Sequence, residues 1–262
     1  MKLIHFLSKT KILLIVFSLF FVACQDNTPE KANTDDQNDD LSSVDLGGIA
    51  EKQNDVKQTY EKVLFDKLIV SSNYAHFYQK DATRCGGNIC LADAIMMASK
   101  IHDTKRIVDA KELDRIAVAI KIVPKCVAGF IGDGANFLRK ELGSKQRSNE
   151  AYASTNSNPA LDKGRDLLKT AIQAQLSINK PTVALVRITA SGLITTNTTS
   201  TFRHFVVIVG LKYVEGGTGS IISYIDPLDR TAKIRTADYT TFLSSIKAAS
   251  TIASYNIIRV GF

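Results

Sequence analysis

The sequence predicts one α+β domain, and three observations carry that expectation. Apolar residues recur at helical spacing through much of the chain up to about residue 178. From Thr182 onward, short runs rich in β-branched and aromatic residues alternate with Gly, Asn, Asp and Pro clusters. No internal repeat and no second break in composition divides residues 44–262, a length suited to one sizeable core. Helices first and antiparallel strands second is the α+β layout.

The chain opens with Lys2, Lys9 and Lys11, then the apolar run Ile12 to Phe21, then Val22-Ala23-Cys24. A basic start, a short apolar core and small residues before a cleavage point read as a signal segment over residues 1–23, and the run is too short for a spanning helix. Its removal takes the formal charge from +7 to +4. That mild balance, without a basic cluster interleaved with aromatics, excludes nucleic acid as a partner. Residues 24–43 follow, with six acidic residues and one lysine between Gln25 and Ser43. A stretch this polar cannot offset its ordering entropy, so a disordered tether is expected.

Within residues 44–262, Val56, Tyr60, Val63, Leu64 and Leu68 predict a helix spanning Ile49 to Val70. Asn88 is a good N-cap for a helix running to about Ile101. Asp109 to Glu112 is a capping-box pattern, opening a helix that Pro124 should stop. Phe137 to Leu142 and Leu161 to Ile178 predict further helical pieces, separated by a polar loop from Gly143 to Pro159. Strands are expected over Thr182–Ile188, His204–Leu211, Ser220–Ile225, Ala232–Thr236 and Ile252–Val260, with one helix over Tyr239–Ala249.

Two distant segments carry the chemistry. One is Cys85-Gly-Gly-Asn-Ile-Cys90-Leu-Ala-Asp-Ala; the other is His204-Phe-Val-Val-Ile-Val-Gly, followed by Tyr-Ile-Asp226-Pro. A nucleophilic thiol needs an imidazole to take its proton and a carboxylate or amide to orient that imidazole. Antiparallel pairing through the Glu215-Gly-Gly-Thr-Gly turn would set His204 and Asp226 at one edge of the sheet. Besides Cys24, the cysteines are Cys85, Cys90 and Cys126. In an oxidising compartment three means one bridge and one leftover thiol, and catalysis is the usual reason for the leftover. The bland alternatives are a disulfide with an inert buried cysteine, a strand-terminal histidine and a turn-opening Asp-Pro. His76 and His102 stand alone and read as structural. Scattered histidines exclude a metal centre, Gly132-Asp-Gly134 lacks the setting of a phosphate loop, and the constellation needs no cofactor.

Around these residues the chain resembles the C39-like and papain-like cysteine peptidases, over about 25 residues at Cys90 and about 28 from Arg203 to Arg230. With Cys90 as nucleophile, Ala94, Ile95 and Met97 match the small, aliphatic and methionine positions of the family's C-G-P-A-A-L-A-M helix. The resemblance implies a two-lobed fold, a nucleophile helix in a helical lobe packed on a C-terminal antiparallel sheet. It makes His204 the general base and Asp226 its orienting group. It also suggests a structural bridge between Cys85 and Cys126. The rival nucleophile is Cys85, because Gln79 precedes Cys85-Gly by the spacing that bacteriocin-leader peptidases use for an oxyanion glutamine. In that register Asp93 falls where the family buries methionine. Gln79 is the best oxyanion donor under either choice, with Asn88 second. Leu91-Ala92 replaces the family's Gly-Pro, which puts pocket shape and activity in question.

Ala23-Cys24 is similar to a bacterial lipoprotein signal, which implies lipidation of Cys24, although Phe21 replaces the usual leucine and general signal-peptidase cleavage stays open. The acidic run after it resembles the surface-export signal of Bacteroidota lipoproteins. The expectation is a lipid-anchored peptidase of the cell envelope, at the outer membrane on its periplasmic or outer face, acting on a peptide or protein. The competing expectations are a papain-fold surface binder that has lost activity, and an immunity or adhesin lipoprotein whose triad is coincidental.

Overall fold

The computed structural model describes residues 61–261, apart from 71–73, 83, 86, 144–148, 200, 252 and 253. The signal segment, Cys24, the tether and residues 49–60 of the expected first helix lie outside the described residues.

Seven strands form one antiparallel sheet: β1 (Val63–Leu68), β2 (Asn149–Ala153), β3 (Thr182–Ile188), β4 (Phe202–Val214), β5 (Ile221–Ile225), β6 (Arg235–Asp238) and β7 (Ser254–Arg259). Their order is β2-β7-β3-β4-β5-β6, with β1 also paired to β4. The helices are α1 (Cys90–His102), α2 (Ala110–Ala119), α3 (Ile131–Glu141), α4 (Lys163–Ser177) and α5 (Tyr239–Ala249). The pleat splits the core in two. Phe205, Val207 and Val209 pack under α1, α2 and α3, whereas Val206 and Ile208 pack under α4 and α5. No helix among the described residues is long and apolar enough to cross a membrane.

The α+β class and the expected strands and last helix are present, with shifted ends. Elsewhere three expectations need correction. Residues Val63–Leu68 are a strand, not the end of a helix. β4 outruns β3, which covers only Phe202 to Ile208, and β1 takes up the remaining edge from Gly210 to Val214. Backbone pairing of that edge outweighs a helical apolar spacing whose residues Val63, Leu64 and Leu68 remain exposed. The polar loop before Pro159 contains β2, an edge strand on β7. Helix α2 stops at Ala119, with Lys121 at φ 64°, before Pro124 is reached.

Two local devices fix the frame. Asp109 caps α2 as expected, its carboxylate accepting the Glu112 N–H at 2.7 Å. Gly134 lets α3 close on α1, since a Cβ there would meet Ile95 Cδ1 at 2.8 Å.

Asp162 holds the far layer. This buried residue caps α4 through the Gly164 N–H (3.1 Å) and also accepts from Thr155 N–H (2.9 Å), Ser154 Oγ (2.7 Å) and Tyr255 OH (2.8 Å). Burial alone would raise its pKa, but these donors and Lys247 hold it well below the usual carboxylate range. Its stabilisation is complete above the unfolded value near 4 and is lost as pH falls through the folded value. Asp162→Ala should destabilise by on the order of 3 kcal/mol at neutral pH, since it removes the cap and orphans a buried hydroxyl. Urea unfolding at pH 7 checks this, and a change under about 1 kcal/mol contradicts it.

Candidate active site

Cys90 is the first residue of α1, so its sulfur sits at the positive end of that helix. The cap is Ile89 rather than Asn88; the Asn88 side chain instead donates to the Cys126 carbonyl at 2.7 Å. That amide, together with a Cys85–Cys126 disulfide, ties the segment before α1 to the loop after α2. Asn88 is thereby used in holding the loop rather than aimed at a substrate. Cys90 is 2 % exposed and packs in the core that includes Phe205 and Val207. No described cysteine is a free thiol: Cys85 is bonded to Cys126, and Cys90 is also disulfide-bonded.

The second half of the constellation is assembled. Antiparallel pairing of β4 with β5 matches Val207 to Ile225, which brings the start of one strand beside the end of the other. There His204 Nε2 and Asp226 Oδ1 are 2.7 Å apart, both side chains buried. An ionised carboxylate only accepts, so Nε2 carries the hydrogen. Oδ1 accepts a second bond from the Leu228 N–H at 2.8 Å. Burial pushes the Asp226 pKa up, but the His204 charge and hydrogen bond, the Leu228 N–H and Arg235 outweigh it and hold the carboxyl below the usual range.

One pocket opens on this pair. Its walls include Gln79 and Gly87 from the segment before α1, Thr189 to Gly192 from the β3–β4 hairpin, and Arg203, His204, Asp226 and Arg235. Gln79 is buried and fixed to the strand end by its N–H to the Pro227 carbonyl at 3.0 Å. The structure therefore gathers Gln79, His204 and Asp226 at one pocket, with Gly87 of the nucleophile segment. Cys90 itself is not among the lining residues.

Sequence reasoning did not find the outer support. Arg235 donates from Nε to Asp229 at 2.7 Å and from its Nη1 to the Gly192 carbonyl at 3.1 Å, and Nη1 lies 4.0 Å from Asp226 Oδ2. Asp229, held near pKa 2 by Arg235 and Thr231 against the effect of burial, anchors that arginine. His76, read from the sequence as structural, has its Nε2 3.1 Å from the Asp226 carbonyl, behind the pair. Nothing in local spacing links these residues; only the fold does. Among the described residues no three His, Cys, Asp or Glu side chains converge as a metal ion requires.

No protein-family model matches the chain, and no curated protein is similar to it.

Proposed function

We propose that the protein is a papain-like, C39-like cysteine peptidase of the cell envelope, with Cys90 in its reduced form as nucleophile. The observation that supports this best is the buried His204–Asp226 pair opening on the same pocket as Gln79. The position of Cys90 at the start of α1 adds to it, because a helix N-terminus favours thiolate. The Cys90 thiolate would attack the peptide carbonyl. His204, taking the thiol proton on Nδ1, would pass it to the leaving amine, and water would then hydrolyse the thioester. Asp226 would hold the imidazole through Nε2, and the Gln79 side chain would stabilise the oxyanion. Lipidation at Cys24 and the acidic tether would hold the domain at the outer membrane.

The reading requires the Cys90 disulfide to be open. In a chain starting at Leu41 three cysteines remain, and the Cys85–Cys126 bond leaves Cys90 as the odd thiol. Alkylation of that protein without reductant at about pH 6, mapped by peptide mass, should label Cys90 rapidly, and His204→Ala should slow the reaction at least tenfold. An unreactive Cys90 would turn the assignment to a second reading, a binding module on the same fold. The burial of Cys90 and its absence from the pocket wall favour that alternative. A coincidental triad would leave Cys90 out of hydrogen-bond reach of His204, whereas His204 and Asp226 are bonded to each other.

A further inference from the structure

We infer that Arg235 is a positioning residue for the reaction: its guanidinium fixes the lip of the pocket through Nη1 and supports the outer oxygen of Asp226 through its charge. The inference rests on the peptidase reading of the pocket. Arg235 opens β6 opposite Tyr224 of β5, two residues before Asp226. The turn between the strands anchors it. Asp229 accepts from Arg235 Nε at 2.7 Å, and from the Thr231 N–H and hydroxyl at 2.9 and 2.6 Å. With Nε held, the planar fork is aimed, and Nη1 reaches the Gly192 carbonyl at 3.1 Å. Gly192 lies in the hairpin segment that walls the pocket, beyond Ile188–Phe202, the last pair of the β3–β4 ladder. Arg235 therefore ties a projecting lip to the turn after β5. Gly192 is left-handed at φ 79°, and a Cβ there would stand 3.3 Å from Nη1 and 3.8 Å from Asp226 Oδ2, so the lip closes on both.

The two oxygens of Asp226 are served differently. Oδ1 takes His204 Nε2 and the Leu228 N–H. Oδ2 is buried with no hydrogen-bond partner among the described residues, and Arg235 Nη1 is 4.0 Å away. A buried carboxylate oxygen without a donor needs a neighbouring positive charge if the group is to stay ionised. The other titratable groups around Asp226 are His204 on β4, His76 at its carbonyl, Tyr224 on β5, Asp229 in the turn and Asp93 on α1. The last three carry no positive charge, and Asp229 is spent on Arg235 and Thr231. Arg235 adds a permanent cation to the His204 and Leu228 bonds, against the effect of burial.

The test uses the full chain, with carboxyl carbon NMR following Asp226 and amide hydrogen exchange following the lip. Arg235→Gln keeps a donor and removes the charge. In it the Asp226 carboxyl should titrate at higher pH than in the wild type. The Thr189 and Gly192 amides, bonded to the Leu193 and Thr189 carbonyls, should exchange at least about fivefold faster. Arg235→Lys restores the charge without the fork, so the titration should return towards its wild-type position while exchange stays fast. An unmoved Asp226 titration in Arg235→Gln, or unmoved lip amides in both variants, would overturn the inference. So would a lower melting temperature in both with the two readouts unseparated, the mark of a purely structural brace. If Arg235→Gln does not fold, Asp229→Asn takes its place: it releases the anchor, the lip amides should again exchange faster, and unaltered exchange counts against the role. The peptidase reading is judged apart, by alkylation of Cys90. An inert Cys90 with both readouts moved keeps the brace and sinks the peptidase; a reactive Cys90 with both unmoved does the reverse.

Discussion

His204→Ala should destabilise the domain by about 3 kcal/mol at pH 7, the largest loss expected from any single site residue. Removing the His204 imidazole takes the hydrogen-bonding partner from the buried Asp226 carboxylate, and leaving a buried charge uncompensated costs about 3–5 kcal/mol. The lower figure applies because Asp226 keeps the Leu228 N–H and the nearby Arg235. For a domain of this size the melting temperature should fall by roughly 6–12 °C. Asp226→Asn removes the charge but keeps an acceptor for both donors, and about 1 kcal/mol is expected. In the double variant the orphaned carboxylate is gone, so the combined loss should be smaller than the sum by at least about 1 kcal/mol. Strict additivity would show that the two side chains do not share an interaction in solution.

The same pair has a signature in acid. The Asp226 carboxyl is depressed in the folded state, so its stabilisation is present above the unfolded value near 4 and disappears as pH falls through the folded value. In His204→Ala a principal cause of that depression is absent. The acid limb of its stability curve should therefore be shallower than that of the wild type.

Much of the sheet was legible because β3, β4 and β5 are buried hydrophobic strands with punctuated ends, and their hairpin alone fixes His204 beside Asp226. Helix α5 was readable for a similar reason, with Asp238 capping it through the Thr241 N–H. What local pattern could not supply is the identity of unfilled edges. β1 and β2 lack a strong strand signal of their own and exist because β4 and β7 offer unpaired backbone. Around the site, the order of Cys90, His204 and Asp226 was readable from residue type and setting. The Arg235–Asp229 brace was not, because it depends on how the turn after β5 folds back onto the start of β6.

Asp93→Asn should stabilise the domain, increasingly so as pH rises from about 5 to 8. Asp93 lies one turn beyond Cys90 on α1, is 0 % exposed, and neither carboxyl oxygen has a hydrogen-bond partner. Burial, reinforced by the negative charge of Asp226, raises its pKa well above the ordinary value. The folded protein therefore keeps a proton that the unfolded chain releases near pH 4. Stability falls above that pH, by up to about 1.4 kcal/mol per unit, until the folded value is passed. Asparagine is neutral throughout and close in shape, so the advantage of the variant should grow steadily with pH across this range. Urea unfolding at several pH values checks it, and parallel curves for the two proteins would mean that Asp93 finds a compensating partner in solution. The neutral state also has a use at the site. Two ionised carboxylates buried near each other would repel, so protonation of Asp93 lets Asp226 alone carry the charge that holds His204. Combining Asp93→Asn with Asp226→Asn should therefore gain less at pH 8 than Asp93→Asn alone, because one cause of the raised carboxyl has already been removed.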